Sequence, residues 1–138
     1  MELNVYTDGG SRGNPGISGY GVVIYGDKEQ IICQESKFLG IKTNNEAEYL
    51  GIIAALEWVK KNQSFLKITK INFFADSQLM IRQFLGVYKV KAQTLLPLFS
   101  RVQQLLIQIN LPHTFQDIRR NSNELADKLA NQAMDNHF

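Results

Sequence analysis

The chain has 138 residues, of which 44% are hydrophobic and 20% charged, with 15 Lys and Arg against 13 Asp and Glu. That length and composition fit one globular domain over residues 1–138, with a core able to fold unaided. The formal charge of +2 neither demands nor excludes a polyanionic partner, whereas the single cysteine, Cys33, excludes an internal disulfide framework and a cysteine-based zinc cluster.

The N-terminus, Met1-Glu2-Leu3-Asn4-Val5, has no basic region followed by an apolar run, so no signal peptide is expected. Residues 2–8 (ELNVYTD) alternate as a strand that ends at Asp8. Residues 9–16 (GGSRGNPG) are a dense cluster of turn formers. Two strands follow, over 20–25 (YGVVIY) and 30–39 (QIICQESKFL), joined by a link of hairpin length at 26–29. Cys33 lies in the second of these and reads as a small packing residue rather than a reactive thiol. Apolar residues at three- and four-residue spacing predict a largely buried helix over 45–61. INFFA at 71–75 reads as a strand covered on both faces, ending at Asp76, with a helix over 77–84 behind it. Gly86 breaks that helix, and another is expected over 94–109 with Pro97 in its first turn. HTFQDI (113–118) alternates as a strand, and Leu125, Ala126, Leu129, Ala130 and Ala133 form one stripe of a last helix over 123–134. The order βββαβααβα argues for the α/β class, a mixed sheet flanked by helices. No apolar run approaches the roughly 18 residues of a membrane span, so a cytoplasmic protein, or one kept reduced wherever it works, is the simplest expectation.

Four carboxylates stand at element ends. Asp8 and Asp76 close strands, and Glu48 and Asp127 lie near the starts of helices. In open α/β sheets those ends form the usual site crevice. Acidic groups gathered there repel one another unless protonated or holding cations, and an all-oxygen set favours Mg²⁺ or Mn²⁺ over zinc. Each also has a plainer reading. Asp8 can start a turn, Asp76-Ser77 can cap a helix, and Asp127 can be a solvated helix residue.

Taken in order, Asp8-Gly9-Gly10-Ser11-Arg12-Gly13-Asn14-Pro15-Gly16, Gly19-Tyr20-Gly21, Thr43-Asn44-Asn45-x-x-Glu48, Asp76-Ser77-Gln78 and Asn123-Glu124-x-Ala126-Asp127-x-Leu129-Ala130 resemble ribonuclease H of type 1 over nearly the whole chain. The resemblance implies the ribonuclease H-like fold, a five-stranded mixed sheet with its first three strands antiparallel. It also implies hydrolysis of the RNA strand of RNA/DNA hybrids with little sequence preference, giving 5′-phosphate and 3′-hydroxyl ends. Two Mg²⁺ or Mn²⁺ ions per site would do this chemistry, with Asp8 bridging them, Glu48 and Asp76 completing one site, and Asp127 on the other. Asn14, Asn44, Asn45 and Gln78 would touch the RNA strand, since amides both donate to and accept from a 2′-hydroxyl. Thr43 would help to hold a DNA phosphate, and the backbone of Gly9 and Gly10 would approach the substrate closely. Ordinary helix-start chemistry is the competing reading of Asn44 and Asn45. A monomer is expected. The rival functions are a non-catalytic hybrid- or RNA-binding module, and a nuclease of the same fold that also cuts double-stranded RNA.

Two departures from the family stand out. Many members carry a histidine before the last helix; here Arg120 takes that place, and arginine cannot shuttle protons near neutral pH. It can hold a phosphate. His113 and His137 read as bystanders. Some members also carry a basic insertion where this chain has 85–93 (LGVYKVKAQ), with only Lys89 and Lys91 positive. Fewer phosphate contacts and a shallower salt dependence are therefore expected, and Tyr88 reads as a core-packing residue. Finally, Thr43-x-x-Glu46 has capping-box spacing. That assigns Glu46 to the helix start and leaves Glu48, about 200° further round the helix, free to face the carboxylates.

Overall fold

The structure, a computed structural model, describes residues 1–136; His137 lies outside the described residues. Its elements are β1 (Glu2–Arg12), β2 (Gly16–Tyr25), β3 (Ile31–Lys42), α1 (Asn44–Leu66), β4 (Lys70–Ala75), α2 (Gln78–Phe84), α3 (Leu96–Ile109), β5 (His113–Asp117) and α4 (Glu124–Asp135). They build one five-stranded sheet in the order β3-β2-β1-β4-β5. β1, β2 and β3 run antiparallel, and β4 and β5 run parallel to β1. This is the expected mixed sheet in the expected element order.

The main core lies between the sheet and α1 and α3. Leu3 and Val5 of β1, Ile71 and Phe73 of β4, and Phe115 of β5 meet Ile52, Leu56 and Val59 of α1 and Val102 and Leu105 of α3. The opposite face is covered by α4, whose Ala126 and Leu129 pack on Val23. This helix lies unusually close to β2, because Gly21 offers no side chain where a Cβ would stand 2.2 Å from the Ala126 carbonyl oxygen. No helix among the described residues is long and apolar enough to cross a membrane.

Several local expectations need correction. β1 does not end at Asp8. It pairs with β2 as far as Arg12↔Ile17, while its pairing with β4 stops at Thr7↔Ala75. Gly9 and Gly10 are therefore strand residues, and the turn is confined to 13–15. The reason is tertiary: α1 presses on the strand, and a Cβ on Gly9 would lie 2.4 Å from the Ala47 carbonyl carbon. β4 is covered on one face only. On the other, Asn72 and Phe74 are half-buried, with Phe74 stacked on Tyr6 at 4.8 Å between centroids and the Asn72 amide donating to Asn4. Tyr88 is not a core residue; it is 42% exposed, and its hydroxyl accepts a hydrogen bond from Arg82. α1 runs past 61 to Leu66, because Leu66 still packs on the core, and it ends where Lys67 turns left-handed at φ 54°. Cys33 is half-buried against the same core.

Candidate active site

Two strands and one helix bring three acidic side chains together. Asp8 stands on β1 one residue beyond its last pairing with β4, and Asp76 follows β4 directly. Glu48 lies just past the first turn of α1. Each offers a carboxylate oxygen, and these oxygens all lie within 4.8 Å of one another. The helix start explains which glutamate is presented. The Thr43 hydroxyl accepts a hydrogen bond from the Glu46 N–H at 3.1 Å, and the Glu46 carboxylate accepts one from the Thr43 N–H at 3.0 Å. That reciprocal box holds Glu46 at the helix entrance and leaves Glu48 turned inward, 4% exposed.

The trio lies in a cleft of about 660 Å³ between the start of α1, the start of α2 and α4, with the β5–α4 link closing one side. Asp127 lines the same cleft just outside the trio, near enough to hydrogen-bond with Asp8. Its carboxylate is drawn onto the Arg120 guanidinium at 3.3 Å, and that contact keeps Arg120 firmly protonated. Burial, then the charge of Asp76, pushes the Asp8 carboxyl up to about 8. Burial, then the charges of Asp8 and Asp76, pushes Glu48 well above the usual carboxylate range. Asp76 is also raised by burial, against the opposing pull of its hydrogen bond with Asp8 and the charge of Arg120.

A divalent cation fits this donor set. Glu48 Oε2 is buried without any hydrogen-bond partner, a costly state for a carboxylate oxygen in protein alone. An all-oxygen set of this kind matches hard cations such as Mg²⁺ and Mn²⁺.

The RNase H family model matches residues 1–135. The chain belongs to the RNase H family. It is 39% identical over 136 residues to the Bifunctional protein Rv2228c of Mycobacterium tuberculosis, a match that covers 98% of this chain and 36% of that relative. The chain thus spans 36% of the length of that curated relative. It is 35% identical over 153 residues to Ribonuclease H of Ruthia magnifica subsp. Calyptogena magnifica, covering 97% of this chain and 96% of that one. Among solved structures, LC11-RNase H1 in complex with RNA/DNA hybrid superposes with a TM-score of 0.90 at 39% identity, over 96% of each chain.

The other positions that the RNase H resemblance singled out divide in two. Gly10, Asn44 and Gln78 line the cleft, whereas Asn14, Thr43 and Asn45 lie outside its lining. Gly9 lines it too, but is buried under α1. The Asn14 side-chain oxygen accepts a hydrogen bond from the Asn44 N–H at 3.0 Å, and that of Asn44 accepts one from the Ser11 N–H at 3.3 Å. The two amide oxygens thus tie the end of β1 and the β1–β2 turn to the start of α1, and both asparagines are exposed. Thr43 spends its acceptor on the helix cap. His113 opens β5, at the end of that strand away from Asp117, which lines the cleft.

The cleft also holds residues to which the RNase H resemblance gave no role, among them Arg12, Asp117, Arg119 and Asn131. Asn123 acts from behind it. Buried, it donates to the Thr7 carbonyl at 2.8 Å and anchors the start of α4 beside Asp8. Strand alternation alone would have placed Arg12 on the Asp8 face, but the surrounding turn formers masked it.

Proposed function

We propose that this chain is an endonuclease that hydrolyses the RNA strand of RNA/DNA hybrids, with little sequence preference. Water adds to the phosphorus and the bond to the 3′ oxygen breaks, leaving 5′-phosphate and 3′-hydroxyl ends. The observation that carries the reading is the trio of buried Asp8 and Glu48 with half-buried Asp76, including an unpartnered Glu48 oxygen, at the head of an RNase H sheet. The relative bound to RNA/DNA hybrid supports the choice of substrate.

Asp8, Glu48 and Asp76 would hold Mg²⁺ or Mn²⁺, two ions per site, with Asp127 joining from α4. When bound, such ions supply a more acidic water and charge stabilisation for the leaving oxygen. The chain's own groups do the positioning. The side-chain amides of Asn44 and Gln78, both exposed, donate to 2′-hydroxyls and sugar edges, the feature by which RNA is told from DNA. Asn14 and Asn45 extend that contact along the rim, and Thr43 meets the DNA strand. Arg120 stays charged and holds a phosphate rather than moving a proton.

The test is cleavage of end-labelled RNA/DNA hybrid, double-stranded RNA and double-stranded DNA with Mg²⁺ or Mn²⁺, alongside Asp8→Asn. The expected result is cutting of the hybrid's RNA strand by the natural chain and none by Asp8→Asn. No hybrid cleavage with either metal overturns the reading. Equal cutting of double-stranded RNA would widen the substrate to any A-form duplex containing RNA.

A further inference from the structure

Asp8, Gly10 and Arg12 alternate along β1 and therefore share one face of the strand. Four residues at about 3.3 Å each separate the Asp8 and Arg12 backbones by roughly 13 Å. Between them Gly10 presents no side chain, and the space over it is bordered by the Asn44 side-chain oxygen and Met134. Arg12 lines the same cleft as the trio. Its Nη1 lies 2.6 Å from Asp135 at the end of α4, and its Nη2 donates to the Asn131 side-chain oxygen at 3.4 Å. A guanidinium has five N–H donors in a planar fork, so these two contacts fix its position and leave donors over. The side chain is 47% exposed and accessible from the cleft.

Besides Arg12, the cleft lining holds two other cations, Arg119 and Arg120. The link between α2 and α3 carries Lys89 and Lys91 but otherwise exposes Leu85, Val87 and Tyr88. Arg120 is paired with Asp127 beside the carboxylate trio, whereas Arg12 stands at the far end of the β1 face. We propose that Arg12 is a substrate-binding residue that contacts a phosphate of the strand lying along the Asp8–Gly10–Arg12 face, a few nucleotides from the cut. The proposal rests on the hybrid-nuclease reading and names one of its substrate contacts.

The competing role for Arg12 is a plain tie between the β1–β2 turn and α4, and two variants separate the roles. Arg12→Ala removes both the ion pair and the cation. Asp135→Asn removes the same ion pair and keeps the cation. Steady-state hybrid cleavage across a salt series is the measurement. Arg12→Ala is expected to raise KM roughly three- to ten-fold with kcat within about two-fold. It should also lower the slope of log KM against log salt by about one. Asp135→Asn is expected to keep KM at or below that of the natural chain, and Arg12→Lys to recover part of the loss. Equal rises in KM for Arg12→Ala and Asp135→Asn would show a structural tie and overturn the proposal. So would an unchanged KM and salt slope in Arg12→Ala. Failure of the natural chain to cut hybrid at all would instead overturn the nuclease reading.

Discussion

Glu46 and Glu48 are two positions apart on one helix, and their surroundings differ completely. Glu46 spends its carboxylate on the Thr43 N–H, while Glu48 is buried against Asp8 and Asp76. Their substitution should therefore be asymmetric. Glu48→Gln removes a charge from the trio and is expected to abolish hybrid cleavage. Glu46→Gln can still accept from the Thr43 N–H and is expected to leave cleavage within about two-fold and cap stability within a few tenths of a kcal/mol. Parallel cleavage assays and urea melts check both; comparable losses in the two variants would show that the cap and the site are not separate. Asp127 was less legible at this level. Its place near the start of a helix was readable, but its capture by Arg120 depends on how the β5–α4 link folds back.

The approach of α4 to β2 is decided by what is missing from Gly21. A Cβ there would lie 2.2 Å from the Ala126 oxygen and 2.7 Å from the Leu129 Cβ, so Gly21→Ala must push the helix off the sheet. The expected cost is about 1–3 kcal/mol, read as a lower urea midpoint. Asp127 would shift with the helix. Gly10→Ala is the control, because its Cβ would make only ordinary contacts at 3.5 and 3.7 Å, and its midpoint should move by much less. Equal shifts would mean that α4 gives way freely. The same crowding makes β1 longer than its composition suggests. Gly9 and Gly10 read as turn formers, yet Gly9 is in the strand because α1 packs over it.

Taken as a whole, the molecule gathers acid at one end of its sheet and bears the strain of doing so. In the metal-free chain Asp8 titrates near 8 against an ordinary 3.8, and Glu48 is raised in the same direction. The folded state therefore holds more protons than the unfolded chain between about pH 4 and pH 8, and stability falls as pH rises through that window. The contribution is complete below about pH 4 and lost above about pH 8. In chelator, the melting temperature is expected to decline from pH 5 to pH 8, with a shallower decline in Asp8→Asn. Added Mg²⁺ or Mn²⁺ should raise it more at pH 8 than at pH 5, because cations compete with protons for the same oxygens. A natural chain with the same pH profile as Asp8→Asn would show that these carboxylates are solvated rather than buried together.

Local features of this chain could be read without coordinates. The order of strands and helices follows hydrophobic periodicity within short windows, and the capping box is a contact between residues three apart. The acidic residues at element ends could be picked out from the same short windows, and they raised the expectation of a cation site. Long-range geometry could not be read that way. That Asp8, Glu48 and Asp76 converge with Asp127 held between Asp8 and Arg120, that Gly9 lies beneath α1, that Tyr88 stays at the surface and that Arg12 meets Asp135 all depend on strand register and on helices packing across the sheet. These contacts join residues tens of positions apart, and their distances exist only once the core has closed.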